Sequence, residues 1–143
     1  MSRMQKVIGS HVCGVCGASG VRVIRMSIDR GQKIQWLCPT CVRDRNLRVS
    51  YGITLKQYND IAESQGWRCA VCNRHQDEFG KGKKPKMKRL FVDHCHKTNA
   101  VRGLLCPNCN TAVGMMNEDP VAAVRFVEYL TKHKVSEKFN EPG

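Results

Sequence analysis

Long apolar runs are missing from this sequence, and with them any stretch near the roughly 20 residues that a membrane-crossing helix requires, so no membrane role is expected. Large aromatic side chains are scarce as well, at 6% of 143 residues against 25% charged. A chain this small with so few large apolar groups builds a thin core, and bound metal is expected to supply part of its folding free energy. Acidic residues number 12 against 24 basic ones, leaving a net charge of +12 and a pI near 9.6, which points to a polyanionic partner. Met1 to Gly9 lacks the apolar core of a secretory signal, and the cysteine count of nine is odd. A secreted disulfide scaffold is therefore disfavoured, and a reduced, cytoplasmic metalloprotein is expected.

What the sequence does have is four Cys-x-x-Cys units in two spaced pairs: Cys13, Cys16, Cys38 and Cys41, then Cys69, Cys72, Cys106 and Cys109. A single unit also fits a redox motif, but two pairs at this separation without a βαβ pattern favour tetrahedral zinc. Four thiolates close the coordination sphere, so both zinc ions are structural. Each such site carries a charge of minus two, which brings +12 to +8, still basic.

The first pair frames a zinc ribbon over residues 1–48, with extended runs at Val21 to Ile28 and Lys33 to Leu37 joined by the turn sequence Asp29-Arg30-Gly31-Gln32. Ribbons serve DNA, RNA and protein contacts alike, so a protein partner through this module is a further expectation. Arg43 to Arg48 follows as a basic connector, either a solvated helix end or linker or an arm contacting phosphates. Thr54 and Gln57 have capping-box spacing, Ile53 and Tyr58 that of a hydrophobic staple, and Leu55, Tyr58, Ile61 and Ala62 one apolar helix face that Gly66 ends. Trp67, just before Cys69, is expected in the core.

Lys81, Lys83, Lys84, Lys86, Lys88 and Arg89, broken by Gly82 and Pro85, form a loop that is either a solvated insert or a clamp on a DNA backbone. Leu90-Phe91-Val92 then starts a hairpin that turns at Thr98-Asn99-Ala100 and returns over Val101 to Leu105. A helix from Pro107 to about Met116 follows. A last helix has Asp119 as N-cap, Pro120 at its first position, and an apolar stripe of Val121, Val124, Val127 and Leu130 expected to pack on the core. Beyond His133 the tail is polar.

Asp93-His94-x-His96, Val101-Arg102-Gly103-Leu104-Leu105-Cys106 and Cys109-Asn110, with Tyr51-Gly52-Ile53-Thr54 upstream, resemble the endonuclease VII branch of the HNH nucleases. These are also called ββα-metal or His-Me finger nucleases. The resemblance implies a catalytic magnesium or manganese ion held by Asp93 and Asn110, oxygen donors suited to a hard cation. His94 is then the general base, a task that suits an imidazole, and His96 assists the metal or holds the scissile phosphate. Arg102 becomes a candidate phosphate contact. Some members of that family place a glutamate three residues after the matching asparagine, where this chain has Val113. The founding junction resolvase also carries a long C-terminal helical region for dimerisation, for which this chain has little room.

One geometric condition attaches to the site. On a regular strand Asp93 and His94 face opposite sides, so both reach one site only if the strand ends or bends there. Cys95 is expected to be a plain thiol outside any metal site, since a hard cation does not favour thiolate. His11, His75 and His133 lie outside the constellation, with His11 and His75 near enough to the knuckles to be considered as donors behind the zinc ligands.

The expectation is a small α+β zinc-stabilised protein with a ribbon at 1–48 and a ββα-metal domain at 49–143. It acts as a metal-dependent DNA endonuclease in a bacterial or phage-infected cytoplasm, as a monomer rather than a dimer, nicking one strand at a time. The alternative from another class is a catalytically silent, zinc-stabilised regulator binding nucleic acid or protein.

Overall fold

The β-branched runs either side of residue 30 pair as a hairpin in a computed structural model of the chain, which describes residues 6–7, 12–19, 21, 23–28, 33–79 and 89–133. Strands β2 (Val23–Ile28) and β3 (Lys33–Leu37) are antiparallel, in the register Ile24 opposite Leu37. A two-residue strand β1 (Lys6–Val7), not foreseen in the sequence, adds to the outer edge of β2. The Asp29 to Gln32 turn, His11, the lysines at 81, 83, 84, 86 and 88, and the tail past His133 lie outside the described residues.

Close contacts divide the chain after Ser64 into two units, Met1–Ser64 and Gln65–Gly143. In the first, Cys13, Leu37 and Cys38 form a buried cluster with Ala18, Cys41 and Val42 packed on it. The basic connector proves to be helical. Helix α1 (Pro39–Tyr51) starts on Cys38 with Pro39 in its first turn and ends where Gly52 takes a left-handed φ of 69° and its N–H bonds Arg48 O at 3.0 Å. Leu47 is buried there. Two of the basic residues have intramolecular partners, Arg43 over the Tyr58 ring at 4.5 Å and Arg48 on Asp44 at 2.7 Å. Residue 48 thus falls inside α1.

Helix α2 (Leu55–Ser64) begins as its sequence requires: Thr54 Oγ1 accepts from Gln57 N–H at 3.0 Å, and Gln57 Oε1 accepts from Thr54 N–H at 2.8 Å. This reciprocal box satisfies two amides that a helix start leaves without partners. Asp44 Oδ1 accepts a third, from Leu55, and that bond is the largest cause holding the Asp44 carboxyl below the usual range. Tyr58 and Ala62 are buried.

The second unit is a ββα assembly. Strands β4 (Phe91–His94) and β5 (Val101–Leu105) make an antiparallel hairpin, and helix α3 (Pro107–Met115) packs against both. Leu90, Val92, Leu104 and Leu105 are buried. Gln65 fastens this hairpin to the Cys69 knuckle: its Nε2 donates to Leu104 O (2.9 Å) and Arg68 O (2.8 Å), while its Oε1 accepts from Leu104 N–H (2.9 Å). A Cβ at Gly103 would lie 3.1 Å from that Oε1, so glycine leaves room for the crossing side chain. Gln65→Ala strips Leu104 of both these side-chain partners and is expected to cost about 1–3 kcal/mol, measurable by urea denaturation of the zinc-loaded protein.

Helix α4 (Pro120–His133) is capped as expected, with Val121 N–H donating to Asp119 Oδ1 at 2.9 Å. Its stripe does not pack on the core. Val121, Val124, Val127 and Leu130 are 55%, 57%, 62% and 51% exposed, and no α4 residue is buried. Periodicity says which face of a helix is apolar, not what covers it. The core does not consume this stripe, so the preference for a monomer loses its premise. Among the described residues, no helix is long and apolar enough to cross a membrane.

Candidate functional site

Both sets of four cysteines converge. Within Cys13, Cys16, Cys38 and Cys41, and within Cys69, Cys72, Cys106 and Cys109, all sulfur atoms lie within 4.8 Å of one another. Local structure holds them there. Cys38 N–H donates to Cys13 Sγ at 3.3 Å, and Cys109 N–H donates to Cys106 Sγ at the same distance. In the second knuckle Asn73, in the left-handed region at φ 57°, closes the turn with its N–H on Cys69 O.

Electrostatics fit a cation at each centre. Burial pushes the Cys13 thiol up, but N–H donors of Cys16, Cys38 and Val15 outweigh it and bring it to about 6. Arg74, 3.5 Å from Cys72 Sγ, lowers that thiol to about 6. Burial first, then the neighbouring thiols, push Cys41 and Cys109 up, because four thiolates cannot sit side by side without a cation to offset them. The donor set is that of structural zinc. Cys95 is not part of either cluster; its thiol is lowered, chiefly by Thr98.

Strand β4 ends at His94, and the hairpin is irregular there. Its register slips between Asp93 and His94, with Asp93 opposite Gly103 and His94 opposite Val101. Arg102 is the extra residue of this bulge, a feature that bends a strand and re-aims a side chain. Here it aims the guanidinium at Asp93. Arg102 Nε and Nη2 donate to Asp93 Oδ2 and Oδ1 at 2.7 and 2.9 Å, and Nη2 also donates to Glu118 Oε1 at 3.0 Å. Asp93 and Glu118, in that order, raise the Arg102 pKa further, and Arg102 holds the Glu118 carboxyl below the usual range.

The two histidines stand close, their ring centres 5.0 Å apart at 73°. His96 Nδ1 lies 3.4 Å from Glu118 Oε1. Asn110 is in the first turn of α3, its N–H on Cys106 O at 3.0 Å, so the zinc knuckle fixes its place. Among the described residues, Asp93, His94, His96 and Glu118 do not join a three-ligand cluster. One carboxylate and one amide carbonyl suit a hard cation that keeps much of its water. A carboxylate accepts about four hydrogen bonds, and Arg102 takes two at Asp93, which leaves lone pairs for a metal.

Glu118 is the residue the sequence reading missed. The expected acid position is Val113, whereas Glu118 arrives from the turn after α3, where Asn117 and Glu118 both take positive φ, 51° and 57°. The available signal was an acid between two predicted helices in Asn117-Glu118-Asp119-Pro120. His75 caps the short 3-10 turn Gln76–Glu78, accepting from Asp77 N–H at 3.3 Å, and His133 lies by Tyr129. Trp67 is half-buried with φ 56°. Of the cationic loop only Arg89 is described, and it is exposed.

The Gene 59 proteins of Mycobacterium phages D29 and L5 are 41% and 43% identical to this chain over 90 and 88 residues. These matches cover 62% and 61% of this chain but 50% and 49% of theirs, so it spans about half the length of these relatives. No solved structure matches it. Residues 44–132, which include both cysteine pairs of the second cluster, the bulged hairpin, α3 and nearly all of α4, match the recombination endonuclease VII family. That span is well over half of the sequence, and its motifs fall on the elements just described: the chain belongs to the recombination endonuclease VII family.

Proposed function

We propose that this protein is a metal-dependent DNA endonuclease whose centre is the bulged hairpin with the start of α3. The observation that supports the reading is the break in the hairpin: β4 ends at His94 and its register slips after Asp93, the place where a strand running on regularly would send a metal ligand and a general base to opposite faces. Asp93 and the side-chain carbonyl of Asn110 would hold a magnesium or manganese ion. When bound, that ion offsets the charge building on the phosphoryl oxygens and assists the departing oxygen. His94 takes the proton from the attacking water. His96 and Arg102 orient the scissile phosphate, the guanidinium through its planar donors. The products carry 5′-phosphate and 3′-hydroxyl ends.

In functional terms the ribbon at 1–48 serves recognition and 49–143 serves cleavage, in the cytoplasm of an infected or bacterial cell. The family implies DNA as the substrate. The loop from Lys81 to Arg89 clamps the backbone without reading sequence. Neutralising several of its lysines is expected to weaken binding to all duplexes alike and to flatten the salt dependence by about one unit of log–log slope for each phosphate no longer neutralised. An unchanged slope in a salt titration by fluorescence anisotropy would return the loop to a solvated insert.

A second reading, a catalytically silent regulator, has one observation in its favour: both Asp93 oxygens are engaged by Arg102. Incubating the zinc-loaded protein with supercoiled plasmid, a branched junction and linear duplex in magnesium separates the two. A nuclease cuts at least one of them, while a regulator binds and cuts none. Nicked circles accumulating before linear product would indicate one site per binding event. Linear product formed directly, with a dimer mass in solution, would assign paired cutting to two chains, for which the exposed α4 stripe is an available surface.

A further inference from the structure

Asp93 has two claimants. Both its oxygens accept from Arg102, at 2.7 and 2.9 Å, and under the nuclease reading they also hold a divalent cation. Two positive groups on one carboxylate repel, so each weakens the other's hold. The other carboxylate that Arg102 engages is Glu118, 3.0 Å from Nη2.

Several features place that carboxylate. The turn after α3 bonds Asn117 N–H to Gly114 O (3.0 Å) and Glu118 N–H to Val113 O (3.3 Å), and it takes two successive non-glycine residues through the left-handed region. Such backbone is costly and persists only where its surroundings hold it. The result aims Glu118 back at the hairpin with its side chain only 14% exposed. There Oε2 accepts from His96 N–H at 3.4 Å while Oε1 holds Arg102.

From these contacts we infer that Glu118 is a positioning residue of the centre: it gives Arg102 a second carboxylate, so that Asp93 can pass to the cation while the guanidinium stays beside the phosphate site. Without Glu118, Arg102 has Asp93 as its acidic partner and competes fully with the metal. Without Arg102, Asp93 is released. The two losses therefore act on cation affinity in opposite directions. This rests on the nuclease reading, in which Asp93 is a metal ligand.

The test reads manganese binding by electron paramagnetic resonance on zinc-loaded full-length protein without DNA. Glu118→Gln keeps an acceptor for His96 N–H and should weaken binding about tenfold, whereas Arg102→Met should tighten it about tenfold. In the Arg102→Met background, Glu118→Gln should change affinity by less than about threefold, since the residue through which it acts is gone. An equal loss in both backgrounds would mean that Glu118 acts as a plain negative charge, and would overturn the inference. Failure of Arg102→Met to tighten binding would overturn it too, and this arm decides alone if Glu118→Gln loses zinc or does not fold. Manganese binding that is absent, or unchanged by Asp93→Asn, would defeat the nuclease reading and this inference together. Asp93-dependent binding without the opposed effects would defeat the inference alone.

Discussion

His94→Ala is expected to lower the rate of magnesium-dependent DNA cleavage by about 10²–10⁴-fold, the range that a positioned general base contributes. Its folding should be unaffected, because His94 ligates neither cysteine cluster and stands at the end of β4, where the strand register breaks. Asp93→Ala should be at least as damaging for a different reason: it removes a cation ligand and leaves Arg102 with Glu118 as its acidic partner. The two variants should differ in how they respond to metal. Raising magnesium should recover part of the activity of Asp93→Ala and none of that of His94→Ala, which retains the ligands. Initial rates against magnesium concentration check this, and parental rates in both variants would show the active site to be elsewhere.

Removing zinc is expected to unfold the protein. In the second unit the Cys69 knuckle reaches the hairpin through Gln65, and the Cys106 knuckle starts α3 and sets Asn110; both knuckles meet at one four-sulfur centre. A structural zinc contributes about 10–16 kcal/mol of apparent binding free energy at neutral pH, as much as the whole stability of an ordinary domain, about 5–15 kcal/mol. Among the described residues, few large apolar side chains are buried to compensate. Freshly purified, reduced protein should hold two zinc ions per chain by mass spectrometry of metals, and a strong chelator should abolish its helical circular dichroism. One zinc or none at the outset, or an unchanged spectrum after zinc release, would overturn this architecture.

Features that depend on neighbours in sequence were legible before the fold was known. The Cys-x-x-Cys spacings, the Thr54–Gln57 box and the Asp119-Pro120 helix start each encode a structure closed within a few residues, and each is present. An irregularity at Asp93 and His94 was legible as a condition, because both serve one site only if the strand ends or bends there, and β4 does end at His94. Helix α1 was harder to read. It buries only Leu47 and has basic residues on much of its surface, so apolar periodicity hardly marks it. Strand β1 has two residues, too few for any alternation.

The long-range side-chain contacts of Glu118 were not legible. Glu118 is 16 residues from Arg102 and 22 from His96 in sequence, and it reaches them through a left-handed turn that Asn117 tolerates but a glutamate does not favour. Arg102 was read as a candidate phosphate contact, and its pairing with Asp93 beside the bulge was not foreseen. The α4 stripe shows the same gap from another side: its apolar face was correctly drawn, and its exposure could not be.

The most direct test of the central claim, phosphodiester hydrolysis with a hard cation at the hairpin, is the magnesium dependence of plasmid nicking with zinc kept in place. Zinc-loaded protein, freed of other divalent ions by dialysis, is mixed with supercoiled plasmid, and magnesium is added in steps. No nicking is expected without magnesium, and the rate should rise to saturation as magnesium is added, with 3′-hydroxyl ends that a polymerase can extend. Nicking at full rate without added magnesium, or intact plasmid at every concentration despite bound DNA, would contradict it.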